Sequence, residues 1–138
     1  MAVVVFDADV LIAYLGRDDA HHSEAVERVR RSLEPDTQRL VSAITYTEIL
    51  IGPLERAGAA GADTVDAMFV RFGIETIQVD MALARRAAAV RVRTNLKLPD
   101  AYTLATAIHA VKRGHEDVRL ESFDKKLNKA FADLHPFA

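Results

Sequence analysis

Three valines and a phenylalanine stand in an unbroken row, Val3-Val4-Val5-Phe6, and the chain turns acidic immediately afterwards at Asp7. A continuous β-branched and aromatic run of that length reads as a strand buried on both faces, so it needs cover on two sides. Three further apolar runs, Leu40 to Ile44, Ile74 to Val79 and Val118 to Phe123, repeat the pattern, and helical stretches separate them. Ala25, Val26, Val29 and Leu33 fall at helical spacing in a segment from about Asp19 to Leu33, which Asp18 or Asp19 can cap and Pro35 ends. Thr45-Tyr46-Thr47-Glu48 has the form of a capping box opening a second helix. A third helix runs from about Asp63 to Phe72 and stops at Gly73, and Asp80 caps a fourth from Met81 to about Arg93. Pro99 suits the first turn of a helix from Asp100 to about Arg113, which Gly114 terminates, and Lys125 to Phe131 forms a last short one.

Strands alternating with helices in this order imply right-handed crossovers and a mostly parallel sheet with helices on both faces. At 138 residues the chain is expected to form a single domain over 1–138. It contains no cysteine, which excludes disulfides and thiolate metal sites, so a metal would have to be held by oxygen or histidine nitrogen. The opening residues lack the basic leader and longer apolar core of a signal peptide. No apolar run approaches the roughly 20 residues of a membrane span, so a cytoplasmic protein without a membrane partner is expected.

In parallel sheets of this kind ligands bind at the carboxyl ends of the strands, which gives the acid positions their meaning. Asp7 directly follows the first strand and Asp124 the fourth; Glu48 lies in the helix after the second, and Asp100 opens a helix that can face the same edge. Each also has a local explanation: a turn for Asp7 and Asp9, the capping box for Glu48, the helix dipole for Asp100, a helix cap for Asp124. Four converging carboxylates would repel one another unless a cation lay among them. Oxygen-only ligands suit Mg²⁺ or Mn²⁺, and the matching reaction class is metal-assisted hydrolysis of a phosphodiester.

At these residues the chain resembles the PIN-domain nucleases, and within them the VapC-type toxins of toxin–antitoxin pairs. The resemblance is carried by Val4-Val5-Phe6-Asp7-Ala8-Asp9-Val10-Leu11-Ile12-Ala13, Ser42-Ala43-Ile44-Thr45-Tyr46-Thr47-Glu48-Ile49-Leu50, Leu98-Pro99-Asp100-Ala101-Tyr102-Thr103-Leu104-Ala105-Thr106-Ala107 and Glu121-Ser122-Phe123-Asp124-Lys125-Lys126-Leu127, in family order. It implies a single-domain α/β/α sandwich with a mostly parallel sheet of four to five strands. It further implies an endoribonuclease dependent on Mg²⁺ or Mn²⁺, acting on RNA, usually homodimeric and held inactive by a VapB-like antitoxin. The metal-site and catalytic acids carried over are Asp7, Glu48, Asp100 and Asp124, with Thr45 and Ser122 in support. Two departures stand out. Asp9 occupies a position where the family commonly has Ser, Thr or Asn, adding a fifth carboxylate to the candidate metal ligands. Phe123 stands where many members have Asn, and Ser122 is the residue placed to supply the missing polar contact.

Basic residues should flank such a site, since carboxylates repel phosphate. Arg85, Arg86, Arg91, Arg93 and Lys97 fall in an acid-free stretch and are the candidate RNA-binding residues, with smaller groups at Lys112–Arg113 and Lys125, Lys126 and Lys129. A solvated helix face explains them equally. The histidines His21, His22, His109 and His115 are assigned no chemistry. Two other readings stay open. Phe6-Asp7-Ala8-Asp9-Val10-Leu11 also resembles the opening of haloacid-dehalogenase-type phosphatases, in which Asp7 would be the nucleophile. A catalytically silent PIN-like module that only binds RNA or protein is the third.

Overall fold

β1 (Ala2–Phe6) occupies the interior of the sheet, hydrogen-bonded in parallel to β2 (Thr37–Ser42) on one side and β4 (Asp117–Glu121) on the other. β3 (Ile74–Ile77) pairs in parallel with β2, so the computed structural model, which describes residues 1–134, has the strand order β3-β2-β1-β4. Side chains alternate across a strand, and β1 is apolar on both faces for that reason. Val4 and Phe6 enter a core with Val41, Ile49, Val65 and Phe69, while Val3 and Val5 enter another with Leu40, Ala107, Ala110 and Val118.

Four helices cover the first face: α1 (Ala8–Leu15), α2 (His22–Ser32), α3 (Ala43–Ala57) and α4 (Ala59–Phe72). Three cover the second: α5 (Met81–Thr94), α6 (Leu98–Lys112) and α7 (Lys125–Leu134). The result is an α/β/α sandwich on a four-stranded, fully parallel sheet. α6 lies on the sheet through the small residues Ala107 and Ala110, which share a core with Val3, Val5 and Val118, and Leu127 of α7 packs with its Leu104 and Ile108. Gly61 is required where α4 crosses α3, because a Cβ there would meet the Pro53 carbonyl oxygen at 2.0 Å. Gly73 ends α4 in the left-handed region at φ 62°.

Several boundaries differ from the sequence reading, each for a local reason. The stretch after Asp7, left without an element, is α1, with Asp7 as its cap. The second strand ends at Ser42, earlier than Ile44, because the Ser42 hydroxyl accepts a hydrogen bond from the Thr45 amide at 3.1 Å and starts α3 there. Thr45 is therefore not the cap, and the capping-box explanation of Glu48 lapses. The fourth strand stops at Glu121, since Ser122 turns its hydroxyl to accept from the Asp124 amide at 3.0 Å. α2 starts at His22, and Asp19 instead accepts from the His21 amide at 2.8 Å. Residues 135–138, the end of the expected domain, lie outside the described residues.

Candidate active site

Parallel pairing in register, Phe6 against Glu121, brings the ends of β1 and β4 side by side, and the Asp7 amide donates to the Glu121 carbonyl at 2.9 Å. The two acidic turns are then stitched together. Asp7 accepts from the Ala8 amide at 2.9 Å and from the Ser122 hydroxyl at 2.8 Å. Asp9, in the first turn of α1, accepts from the Phe123 amide at 3.0 Å through Oδ2. Its Oδ1 is buried without a partner. Asp124 caps α7 by accepting from the Leu127 amide at 3.1 Å. Ser122, fully buried, thus joins the first and last acids.

Glu48 reaches the same edge from α3 and Asp100 from the first turn of α6. Their helices are tied by the buried hydroxyls of Thr45 and Thr103, 3.3 Å apart. Thr45 therefore acts on the scaffold, bonded also to Ser42, and makes no hydrogen bond to an acid among the described residues.

The electrostatics show that the acids face one another. Burial first, then the charges of Asp9 and Asp124, push the Asp7 carboxyl up to about 6, against the opposing pull of the Ser122 and Ala8 hydrogen bonds. Asp100 is likewise pushed up to about 6, by burial and then by Asp7 and Asp124, while Lys97 and Lys126 pull the other way. Glu48 is raised by burial and by Asp7, Asp100 and Asp9. Asp9 is raised by burial and by Asp124 and Asp100. The charges of Asp7, Asp9, Asp100 and Asp124 thus act on neighbouring acids, Glu48 among them, although these residues come from four separate stretches of chain.

The donor set contains only oxygen, and one carboxylate oxygen is buried without a hydrogen-bond donor, which is the chemistry of a hard divalent cation site. Among the described residues no three acids or histidines form a ready-made ligand set for one ion. Mutual repulsion holds uncompensated carboxylates apart, and the fit to Mg²⁺ or Mn²⁺ lies in the donor type and the orphaned oxygen.

Arg28 and Asn128 buttress the turn after β4, and neither was singled out from the sequence. Arg28 donates to the Glu121 carboxylate and the Ser122 carbonyl, both at 3.1 Å, and its guanidinium lies 4.8 Å over the Phe123 ring. Asn128 donates to the same Ser122 carbonyl at 2.9 Å, and His21 stacks on the same Phe123 ring with centroids 5.0 Å apart. No local pattern announces a contact that spans 93 residues.

The five predicted RNA-binding residues do not form one patch. Lys97 acts on Asp100. Arg91 is occupied by the end of its own helix, donating to the Asn95 carbonyl and side chain at 2.9 Å and to the Leu96 carbonyl at 2.8 Å. Arg86 faces His109, whose pKa is lowered by burial and then by Arg113 and Arg86. Arg93 lines grooves with Lys112 and with Lys126, and Arg85 is exposed on α5. His109 and His115 line a separate groove with Glu75.

A three-layer parallel α/β fold with carboxylates gathered at the strand ends defines a class, and the family comparison agrees. The PIN domain family model matches residues 4–131, and the chain belongs to that family. No curated protein matches the chain in sequence. Among solved structures, VapC20 of Mycobacterium tuberculosis, a toxin that cleaves the sarcin–ricin loop, superposes with a TM-score of 0.70 at 21% identity, covering 94% of this chain and 95% of its own. A toxin–antitoxin complex from Klebsiella pneumoniae matches at TM-score 0.63 and 27% identity, covering 91% of this chain and 88% of the other. VapBC-1 of nontypeable Haemophilus influenzae gives a TM-score of 0.63 at 15% identity, covering 95% and 93%. No helix among the described residues is long and apolar enough to cross a membrane.

Proposed function

We propose that this protein, a single PIN unit over 1–138, is a metal-dependent endoribonuclease and the toxin of a toxin–antitoxin pair. The observation that carries the chemistry is the coupling of Asp7, Asp9, Glu48, Asp100 and Asp124, with Asp7 and Asp100 both pushed up to about 6. Such acids hold their charge at neutral pH when a cation sits among them. Asp7, Glu48, Asp100 and Asp124 are the residues to hold Mg²⁺ or Mn²⁺, and Asp9 the additional one through its unpartnered Oδ1. A bound ion would activate water and neutralise charge on the phosphate and the leaving oxygen.

The chain's own contribution is placement. Ser122 fixes the Asp7 carboxylate by donating to it and fixes the Asp124 backbone by accepting from it. Glu48 and Asp100 accept no hydrogen bond among the described residues, so their oxygens are left for a bound ion and for orienting the water that attacks the phosphodiester. Hydrolysis puts that water oxygen on phosphorus, breaks the bond to the leaving ribose oxygen and leaves one of the water's protons on that oxygen.

The toxin assignment draws on the PIN family membership and on the toxin–antitoxin assemblies among the structural neighbours. The partner proposed is a VapB-like antitoxin, the working form a homodimer and the setting the cytoplasm. Cleavage of labelled RNA in Mg²⁺ or Mn²⁺, abolished by EDTA and by Asp7→Asn, is the expected result. Cleavage that survives Asp7→Asn or Asp100→Asn sinks the site. Hydrolysis of a simple phosphate monoester without any RNA cleavage would instead favour the haloacid-dehalogenase-like phosphatase reading, and RNA binding without hydrolysis the silent module.

A further inference from the structure

Two grooves on the α5–α6–α7 side take no part in the acid cluster. One, of about 180 Å³, is lined by Arg86, Val90, Arg93, Ile108, Lys112 and Leu134 together with Ala89. The other, of about 480 Å³, is lined by Arg93, Leu96, Lys126, Lys129, Asp133 and Leu134, among others. Arg93 and Leu134 line both, so the two grooves adjoin around the end of α5. One end of this path lies near Asp100 without including it. Lys126 lines the path, and the positive charges of Lys126 and Lys97 both act on Asp100.

The charges along the path differ from several on α2 and β4. There Arg28 pairs with Glu24 and Glu121, Arg30 with Glu27, and Arg119 with Asp117. Along the groove, Arg86, Arg93 and Lys112 have no carboxylate partner among the described residues, and only Lys129 is paired, with Asp133 at 2.8 Å. Arg86 and Arg93 are seven residues apart, almost two helical turns, so they project on one face of α5 about 10 Å apart along its axis. A chain of net charge −2 therefore keeps a file of uncompensated cations that starts beside its acid cluster and leads away from it. Between them the floor is apolar, from Val90, Ile108 and Leu134.

We propose that these two adjoining grooves seat the sugar–phosphate backbone of an RNA running away from the acid cluster. Lys97 and Lys126 take the phosphates nearest the scissile bond, and Arg93, Arg86 and Lys112 take those further along. The assignment rests on the nuclease reading and adds to it a direction of approach and a substrate longer than the nucleotides at the acids. Because the contacts are to phosphate, they give affinity and register, with sequence choice left to other parts of the surface. Arg91, bonded to the end of α5, has no share in it.

The test compares wild type with the Arg86→Ala/Arg93→Ala/Lys112→Ala variant, using a fluorescein-labelled RNA hairpin of about 30 nucleotides, in EDTA so that no cleavage occurs. Anisotropy at about 0.1 M salt is expected to show at least a tenfold loss of affinity. The slope of log Kd against log salt should flatten by about 2, from roughly 0.7 to 0.9 per phosphate contact removed. In Mn²⁺ the variant's KM on the hairpin rises while kcat holds, and the gap from wild type widens with RNA length. The Arg86→Lys/Arg93→Lys variant retains most of the affinity, and Arg17→Ala/Arg71→Ala, on the opposite face, behaves as wild type. Unchanged affinity and salt slope in the triple alanine variant overturn the proposal, as does a loss of antitoxin binding with RNA binding intact. Failure of the nuclease reading looks different: wild type then cleaves no RNA in any divalent ion, whatever the binding arm shows.

Discussion

The acid cluster has two halves held in different ways. Asp7, Asp9 and Asp124 are pinned by hydrogen bonds from Ser122, Ala8, Phe123 and Leu127, all within the abutting turns after β1 and β4. Glu48 and Asp100 accept none among the described residues and are placed only by the helices that carry them, linked through Thr45 and Thr103. Hydrogen bonds to a carboxylate favour its charged form, and for Asp7 they work against burial and its acidic neighbours. The pinned half is thus organised before any ligand arrives, while the other half keeps side-chain freedom and can close on one.

The largest effect should come from the pinned half. Asp7→Asn keeps the shape and one of the two accepting oxygens, puts an NH2 group in place of the other and removes the charge, and RNA cleavage should fall by about 10³-fold or more. The same variant should be more stable than wild type in EDTA at pH 7.5, by on the order of 2 kcal/mol, since the lost charge is one that burial and Asp9 oppose. Thermal melts in EDTA beside cleavage assays check both, and a variant that is inactive because it is unfolded would show the opposite melting shift.

Ser122→Ala strips one hydrogen bond from Asp7 and another from the Asp124 amide at a fully buried position. A cleavage loss of about 10- to 100-fold is expected, with destabilisation of roughly 1–3 kcal/mol from the buried groups left unpaired. Wild-type cleavage in this variant would mean that the pinned half owes nothing to its pins.

Asp7 and Asp100 make stability depend on pH in a defined direction. Both carboxyls bind their protons more tightly folded than unfolded, from the usual ~3.9 up to about 6. Their contribution to stability is full below about pH 4 and is lost as pH rises through about 6. Melting of the ion-free protein should therefore shift down across that window. Mn²⁺ at pH 7.5 should restore stability by about 2.7 kcal/mol at a hundredfold excess over its Kd. Absence of any Mn²⁺ stabilisation would count against a metal centre here.

The smallest effect belongs to the scaffold of the open half. Thr45→Val removes the hydroxyl that bridges Ser42 and Thr103, and should lower stability by about 1 kcal/mol while changing cleavage by no more than about threefold. A large loss of cleavage would show that Glu48 and Asp100 depend on that bridge as closely as Asp7 depends on Ser122.

Much of this was legible along the chain. The unbroken run Val3–Phe6 could only be an interior strand, and alternation of short apolar runs with helical spacing dictated a parallel sheet covered on both sides. Placement of acids behind strands, reinforced by four ordered family blocks, pointed to the carboxylates that the fold brings together. Such features are short in range, because periodicity and caps are set by residues a few positions apart. Where two local signals competed, the nearer hydroxyl won, as Ser42 did over Thr45 at the start of α3.

Contacts across long separations were decided by the tertiary structure. Arg28 meets Glu121 and Ser122 only because α1 and α2 fold back beside β4, and Asp9 finds the Phe123 amide only because β1 and β4 pair in register. The basic stretch of α5 read as one patch, yet helical geometry sent Arg91 to its own helix end and Arg86 and Arg93 into a groove shared with α6 and α7. Residue order determined which groups carry charge and which elements carry them. Their neighbours, and hence the burial and fields that push Asp7 and Asp100 up to about 6, exist only once the sheet is assembled.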